Sequence, residues 1–373
     1  MARERGTSRA LRRYAPAMGR CQRFQGLRKE RVTGSSQFKD GVFVNPTGVT
    51  PGLQGKALPL LGELFFGGAE RAPRRPLPMV RPHERWATRA DTGLRVTWLG
   101  HSTALLEIDG HRVLTDPVFG LRASPVSFAG PKRFHPPPAT LAELLPLDAV
   151  LLSHDHYDHL CRRTMVEIAA LGIPVVTALG VGAHLEAFGV AHENVHELDW
   201  GERVALGGLT FHATPSQHFS GRSATDRNRT LWAAWVVEAA RHRVFFSGDT
   251  GLTPQFRETH ARFGKFDLVM LEIGAFHPSW GGIHLGPENA LTAFEWLGGG
   301  TLLPVHWGTF NLALHAWDEP PETLLTSAAR RGLRVITPRL GHPVEPSHVE
   351  GPDPWWREAQ TSPARLMATR EAT

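Results

Sequence analysis

From residue 94 onward the chain alternates short apolar runs with turn residues, and that alternation predicts most of its elements. Positions 94–99, 103–108 and 112–115 are strand-like, with Asp109-Gly110 as a tight turn, so a β-meander is expected to open the fold. The apolar run 148–152, preceded by Pro146, reads as a strand buried on both faces. Behind it Cys161, Met165 and Ile168 recur at helical spacing while Arg162, Arg163 and Glu167 fall elsewhere, which predicts an amphipathic helix. Further strands are expected at 173–177, 195–198, 203–206, 209–214, 231–238, 243–247, 266–273 and 301–305. Helices are expected at 182–188, from Thr253-Pro254 to Gly264, and at 287–297. Strands and helices alternate in the second half, as in an α/β fold. The Gly- and Pro-rich loop 119–140 is long for a compact domain, which places it at the mouth of a site.

The flanks lack this texture. Residues 1–35 have no apolar periodicity and collect Arg3, Arg5, Arg9, Arg12, Arg13, Arg20, Arg23, Arg28 and Lys29, so they are expected to form a disordered basic tail. Residues 36–93 read as an N-terminal extension packed on the main domain, 94–346 as that domain, and 347–373 as a loose C-terminal tail with Trp355 and Trp356 tacked onto the surface. The apolar patch 58–66 is expected to pack on the core, with contact to acyl chains at a membrane surface as its other use.

Composition narrows the class. A chain of 373 residues with 41% hydrophobic content can bury a substantial core. Lys and Arg outnumber Asp and Glu by 41 to 36, and much of the excess lies before Arg31, so a general affinity for anions is not spread over the whole chain. No stretch approaches the roughly twenty apolar residues of a membrane span, and no apolar h-region follows the basic start, which makes the cytoplasm the expected location, with association at the membrane periphery as a variant. Cys21 and Cys161 alone cannot build a disulfide framework, and Cys161 reads as a small core residue.

The densest chemistry follows the strand at 148–152. His154, His156, Asp158 and His159 fall within six consecutive positions at its carboxyl end. His154 and His156, two apart on an extended loop, can point the same way, whereas Asp158 and His159 diverge by roughly a hundred degrees as a helix opens. One segment can therefore feed two adjacent metal positions. A lone H-x-H is usually a pair of solvated loop residues; the full H-x-H-x-D-H behind a buried strand is far more specific. His218, Asp249 and His306 each follow an apolar strand at its carboxyl end, where α/β sheets place ligands.

This constellation resembles the metallo-β-lactamase superfamily. The resemblance implies an αβ/βα sandwich, two mixed β-sheets flanked by helices, with a two-metal site on its upper edge. It implies that His154, His156 and His218 hold one Zn²⁺, that Asp158, His159 and His306 hold the other, and that Asp249 bridges them. Trp98-Leu99-Gly100-His101-Ser102-Thr103, Thr115-Asp116-Pro117, 127–134, 226–232 and His306-Trp307-Gly308-Thr309-Phe310 are similar to the branch containing N-acylphosphatidylethanolamine-hydrolysing phospholipase D and its bacterial relatives. Ile283-His284-Leu285-Gly286-Pro287-Glu288 departs from the His-Met-Asn-Pro of that branch.

The same resemblance supplies roles. Asp158 and Asp249 are the catalytic carboxylates, Asp116 orients a ligand histidine, His101 stands at the pocket edge or behind a ligand, and His284 protonates a leaving alkoxide. Two cations bring four positive charges; two aspartates and a bridging hydroxide remove three, so the site should welcome an anionic diester. Donors of oxygen and nitrogen also permit Mn²⁺ or Fe²⁺. The expected activity is a phospholipase D-like phosphodiesterase in which a metal-bridging hydroxide attacks phosphorus, acting on an anionic small-molecule or lipid diester. A lactonase or other carboxyl-ester hydrolase is the alternative. A nuclease, and with it a nucleic-acid partner, is disfavoured, because the intervals between ligands leave no room for the inserted cap domain of RNA-processing relatives.

Overall fold

Two mixed sheets carry the chain from residue 94 onward. The structure is a computed structural model and describes residues 24–52, 68–81, 86 and 88–360. A short ribbon, β1 (Phe38–Lys39) and β2 (Val42–Phe43), precedes the main body. The first sheet contains β3 (Leu94–Gly100), β4 (Thr103–Ile108), β5 (His111–Thr115), β6 (Ala149–Leu152), β7 (Val175–Ala178) and β8 (Val195–Leu198) in that spatial order. The second contains β9 (Arg203–Leu206), β10 (Leu209–Thr214), β11 (Ala234–Glu238), β12 (Arg243–Phe246), β13 (Leu268–Glu272) and β14 (Leu302–Val305), while β15 (Pro343–Val344) returns to pair with β3. The strands β5 to β8 run parallel, as do β12 to β14, and the rest of each sheet is antiparallel.

The expected meander is present, and Asp109 (φ 48°) and Gly110 (φ 90°) adopt the left-handed backbone that a two-residue hairpin requires. Every residue of β3, β4, β6, β7, β13 and β14 is buried, which demands cover on both faces. The other sheet covers one face and helices cover the other, giving the αβ/βα sandwich. Helices span Arg162–Ala170, Gly182–Ala187, Gln255–Phe263, Gly286–Trp296 and Glu319–Arg331. The last has no counterpart in the hydrophobic pattern, because its buried stripe of Leu324, Ser327 and Ala328 holds one large apolar side chain. Pro320 and Pro321 fit its first turn, where no intrahelical donor is needed.

The flanks correct two expectations. The basic tail was drawn to residue 35, yet Gly26–Gly34 is a helix with Val32 buried. Arg28 spans Glu197 (2.6 Å) and Glu186 (2.7 Å), and Arg31 pairs with Glu202, so charges read as solvated are in fact docked. The C-terminal segment is likewise not loose: Trp355 and Trp356 are buried in a turn of 3-10 helix, packed on Trp307, whose ring stacks on Trp98 at 5.0 Å. Both contacts join residues far apart in sequence and leave no local periodicity. Residues 1–23, the patch 58–66 and residues 361–373 lie outside the described residues. Among the described residues no helix is long and apolar enough to cross a membrane.

Candidate metal centre

Seven strands end at one rim, and the polar side chains just beyond them converge there. His101 follows β3, Asp116 follows β5, and the segment Ser153 to His159 follows β6. His218 comes a short loop after β10, Asp249 follows β12, Glu272 ends β13 and His306 follows β14. Three of these residues hold left-handed backbone that side chains normally avoid: His101 (φ 54°), Asp116 (φ 32°) and His306 (φ 63°). Chain paths bent this sharply by non-glycine residues persist where the surroundings over-determine them.

All seven residues expected from the sequence lie together. One group is His154, His156 and His218: the Nδ1 of His156 is 2.8 Å from His154 Nε2 and 3.4 Å from His218 Nε2. The other joins Asp158, His159 and His306, with Asp158 Oδ2 3.4 Å from the Nε2 of each histidine. Asp249 stands between the groups. Its Oδ2 is 3.1 Å from His306 Nε2, 3.2 Å from His159 Nε2, 3.7 Å from His218 Nε2 and 4.0 Å from His154 Nε2.

Hydrogen bonds behind these rings fix which nitrogen is free. Asp116 is fully buried and accepts from Ser153 N (2.7 Å), Ser153 Oγ (2.6 Å) and His159 Nδ1 (2.7 Å). Ser153 Oγ has spent its proton and so accepts from His154 Nδ1 at 2.9 Å. His218 Nδ1 donates to Ile283 O at 3.0 Å. Each of these three imidazoles therefore keeps its Nδ1 proton on the far side and turns Nε2 toward the centre. Asn45, from the N-terminal extension, holds the backbone of His218 at both ends, donating to its carbonyl (2.8 Å) and accepting from its N–H (3.1 Å).

Charge follows the same division. Burial pushes His154 and His218 well below the usual imidazole range, leaving them neutral, and lowers His156 in the same direction. Burial opposes ionisation of Asp158 and Asp249, but the adjacent imidazoles, His159 first, outweigh it and hold both carboxyls well below the usual carboxylate range. Burial also opposes charge on His159 and His306, and the carboxylates, Asp249 first, reverse it, pushing His306 up to about 10. The centre thus pairs two ionised carboxylates with positive charge drawn onto His159 and His306, the charge that a bound cation would supply in their place. His159 Nε2, His306 Nε2 and Asp249 Oδ1 are buried without a hydrogen-bond partner, so the set fits a cation better than a proton, which could satisfy only one nitrogen at a time.

The remaining expected residues stand close by. His101 is buried, which lowers it to about 3, and as a neutral ring it donates Nε2–H to Asp158 Oδ2 at 3.0 Å. His284 lies edge-on to His218 and nearly parallel to His306 at 5.4 Å between ring centres. Phe134, from the loop 119–140, lines a narrow cleft beside His306 with Arg71, Trp307 and Phe310, which puts that loop at the site. Sequence reasoning missed Glu272 and Asp155. Glu272 looked like the interior of an apolar strand, yet it is a charged residue at a strand's carboxyl end, the same signal that singled out Asp249 and His306. Asp155 is buried and accepts from Gly221 N (2.8 Å) and Thr230 Oγ1 (3.0 Å), pinning the loop between His154 and His156.

Residues 111–307 match the model of the beta-lactamase superfamily domain, a span of more than half the chain that contains all seven residues. This chain belongs to the metallo-β-lactamase superfamily. As a member it is a metal-dependent hydrolase. An uncharacterised protein of Mycobacterium tuberculosis is 44% identical over 330 residues, covering 87% of this chain and 88% of that one. The N-acyl-phosphatidylethanolamine-hydrolyzing phospholipase D 1 of Caenorhabditis elegans is 37% identical over 235 residues, 60% of this chain and 66% of the relative. Among solved structures, the isothiocyanate hydrolase from Delia radicum gut bacteria superposes with a TM-score of 0.55 at 21% identity, over 67% of this chain and 98% of the other, which speaks for the superfamily fold alone.

Proposed function

We propose that this metallo-β-lactamase superfamily hydrolase is a phosphodiesterase of phospholipase D type with a binuclear zinc site. The observation that carries the reading is the placing of Asp249 Oδ2 between two nitrogen-rich donor groups, together with the likeness to a relative named for phospholipase D activity. His154, His156 and His218 would hold one cation, Asp158, His159 and His306 the second, and Asp249 would serve both. Two Zn²⁺ ions bound there supply Lewis acidity and a nucleophilic water at neutral pH; Mn²⁺ or Fe²⁺ suit the same donors.

The chain's own residues prepare that chemistry. Asp116 and Ser153 keep protons on the outward nitrogens of His159 and His154, so the inward nitrogens stay free. His101 holds Asp158 in place. His284 keeps its Nδ1 on Glu272 at 2.6 Å, which leaves Nε2 to meet a leaving oxygen.

Metal analysis of the purified protein should find two equivalents per chain. Hydrolysis of bis(p-nitrophenyl) phosphate should disappear on chelation and return best with Zn²⁺. Turnover confined to a lactone panel, with no phosphodiester cleaved, would reject the phosphodiesterase reading in favour of a carboxyl-ester hydrolase.

We assign the protein to the cytoplasm and its working position to the membrane periphery. The loop closed by the Arg122–Lys132 bridge carries Phe128, 81% exposed, and Leu121, 56% exposed, with the exposed Lys132 at its end. An apolar tip with basic neighbours suits an anionic bilayer surface. Phe128→Ser should lower the fraction bound to phosphatidylserine vesicles severalfold without changing turnover of a soluble diester; equal binding by both proteins would remove the assignment.

A further inference from the structure

Glu272 is a fully buried carboxylate in the second sheet, and no Lys or Arg is paired with it among the described residues. Its two oxygens do different work. Oε1 accepts from the backbone N–H groups of Thr250 (2.7 Å) and Leu285 (3.1 Å), which a neutral amide or hydroxyl could satisfy at lower desolvation cost. Oε2 faces two imidazoles: His284 Nδ1 at 2.6 Å and His306 Nδ1 at 3.7 Å. Burying a carboxyl group is expensive unless its oxygens are satisfied, and here Oε2 is taken up by the Nδ1–H of His284.

The contacts of Glu272 reach three of the segments that form the metal centre. Thr250 follows Asp249 directly. Leu285 belongs to the loop in which Ile283 O accepts from His218 Nδ1, so the same anchor sets the backbone that orients His218. His306 lies beside the same oxygen. The carboxylate also selects one form of His284: with Nδ1–H committed to Oε2, the ring lies nearly parallel to His306 with Nε2 turned away from Glu272.

We infer that Glu272 is a positioning residue for the hydrolytic site, a single acceptor that locks the tautomer and ring plane of His284 and backs His306. The inference rests on the functional reading above in giving His284 a part in turnover, but it is independent of which ester is cleaved.

The test is a double-mutant cycle of Glu272→Gln and His284→Ala, assayed on whichever ester the wild-type protein turns over. Loss of phosphodiester activity in the wild type would thus fault the functional reading alone. Glu272→Gln keeps size but replaces the acceptor facing His284 with an amide. It should retain both metals and lower kcat about 10- to 100-fold, with KM changed little. In the His284→Ala background the same change should cost less than about threefold, because its target is already gone. Equal factors in both backgrounds would overturn the inference, as would an effect on KM alone. Should Glu272→Gln fail to fold, nitrogen-15 histidine spectra of the wild-type protein decide. A strongly hydrogen-bonded Nδ1 proton absent from His284→Ala supports the lock, and a His284 that lacks a proton on Nδ1 refutes it.

Discussion

Asp249→Asn should leave a folded protein that holds fewer than two metal ions per chain and hydrolyses its substrate at least about 10³-fold more slowly. The expectation comes from how many groups one oxygen serves. Asp249 Oδ2 lies 3.1 to 4.0 Å from the Nε2 of His306, His159, His218 and His154, and among the described residues no other carboxylate touches both donor groups. An amide in its place offers a single neutral acceptor and turns two N–H donors into a space already lined by ring nitrogens. The change also removes the carboxylate that, against burial, draws positive charge onto His159 and His306, so the centre loses part of its hold on a cation. Elemental analysis and initial rates on the same preparation make the measurement. A variant with two metals and the wild-type rate would show that Asp249 is not shared between them.

Asp116→Ala should be the more damaging change for folding. The carboxylate is fully buried and takes three hydrogen bonds from Ser153 N, Ser153 Oγ and His159 Nδ1. Truncation strands all three donors and leaves a cavity against β6, at a cost of roughly 3 to 5 kcal/mol. It also frees the His159 ring to rotate or change tautomer, and His154 loses the serine that fixes its own proton, so metal affinity should fall about 10- to 100-fold. Urea denaturation of the metal-free protein reads the first effect and competition with a chromogenic chelator the second. Asp116→Asn should fall between the two proteins, since an amide can still accept from Ser153 but cannot serve all three donors. Wild-type stability and affinity in Asp116→Ala would mean that the hydrogen bonds to Asp116 contribute nothing to the site.

The strands that carry the site were legible because each is a short apolar run bounded by turns, and burial on both faces makes such runs continuous. β4, β8, β9 and β10 fall at their expected positions, and β3 and β5 differ from expectation by a residue at one end. The run at 231–238 is shorter as a strand, because Leu231 and Trp232 are buried as loop before β11 begins at Ala234. The seven convergent residues were legible for a related reason: six of them stand just beyond such strands or in the dense segment after β6, and His218 follows β10 by a short loop.

Other features left no local trace. Glu272 hides at the end of an apolar strand, and its importance depends on His284 and Thr250, which approach it only when the loops after β12 and β13 fold back. Asn45 sits in an extension with no periodicity, yet it grips the backbone of His218 across 173 positions of sequence. The helix Gly26–Gly34 is weakly amphipathic and is held by Glu186 and Glu197 on the main domain.

From the order of residues alone came the layered α/β architecture, the rim at the strand ends and the seven residues that meet there, since these follow from hydrophobic spacing and from side-chain chemistry next to it. Folding in three dimensions settled the rest: that one oxygen of Asp249 lies between both donor groups, which imidazole nitrogen each hydrogen bond leaves free, and that a buried glutamate stands behind His284. Those are matters of distances of a few ångströms between segments far apart in the chain, and no pattern confined to neighbouring positions can encode them.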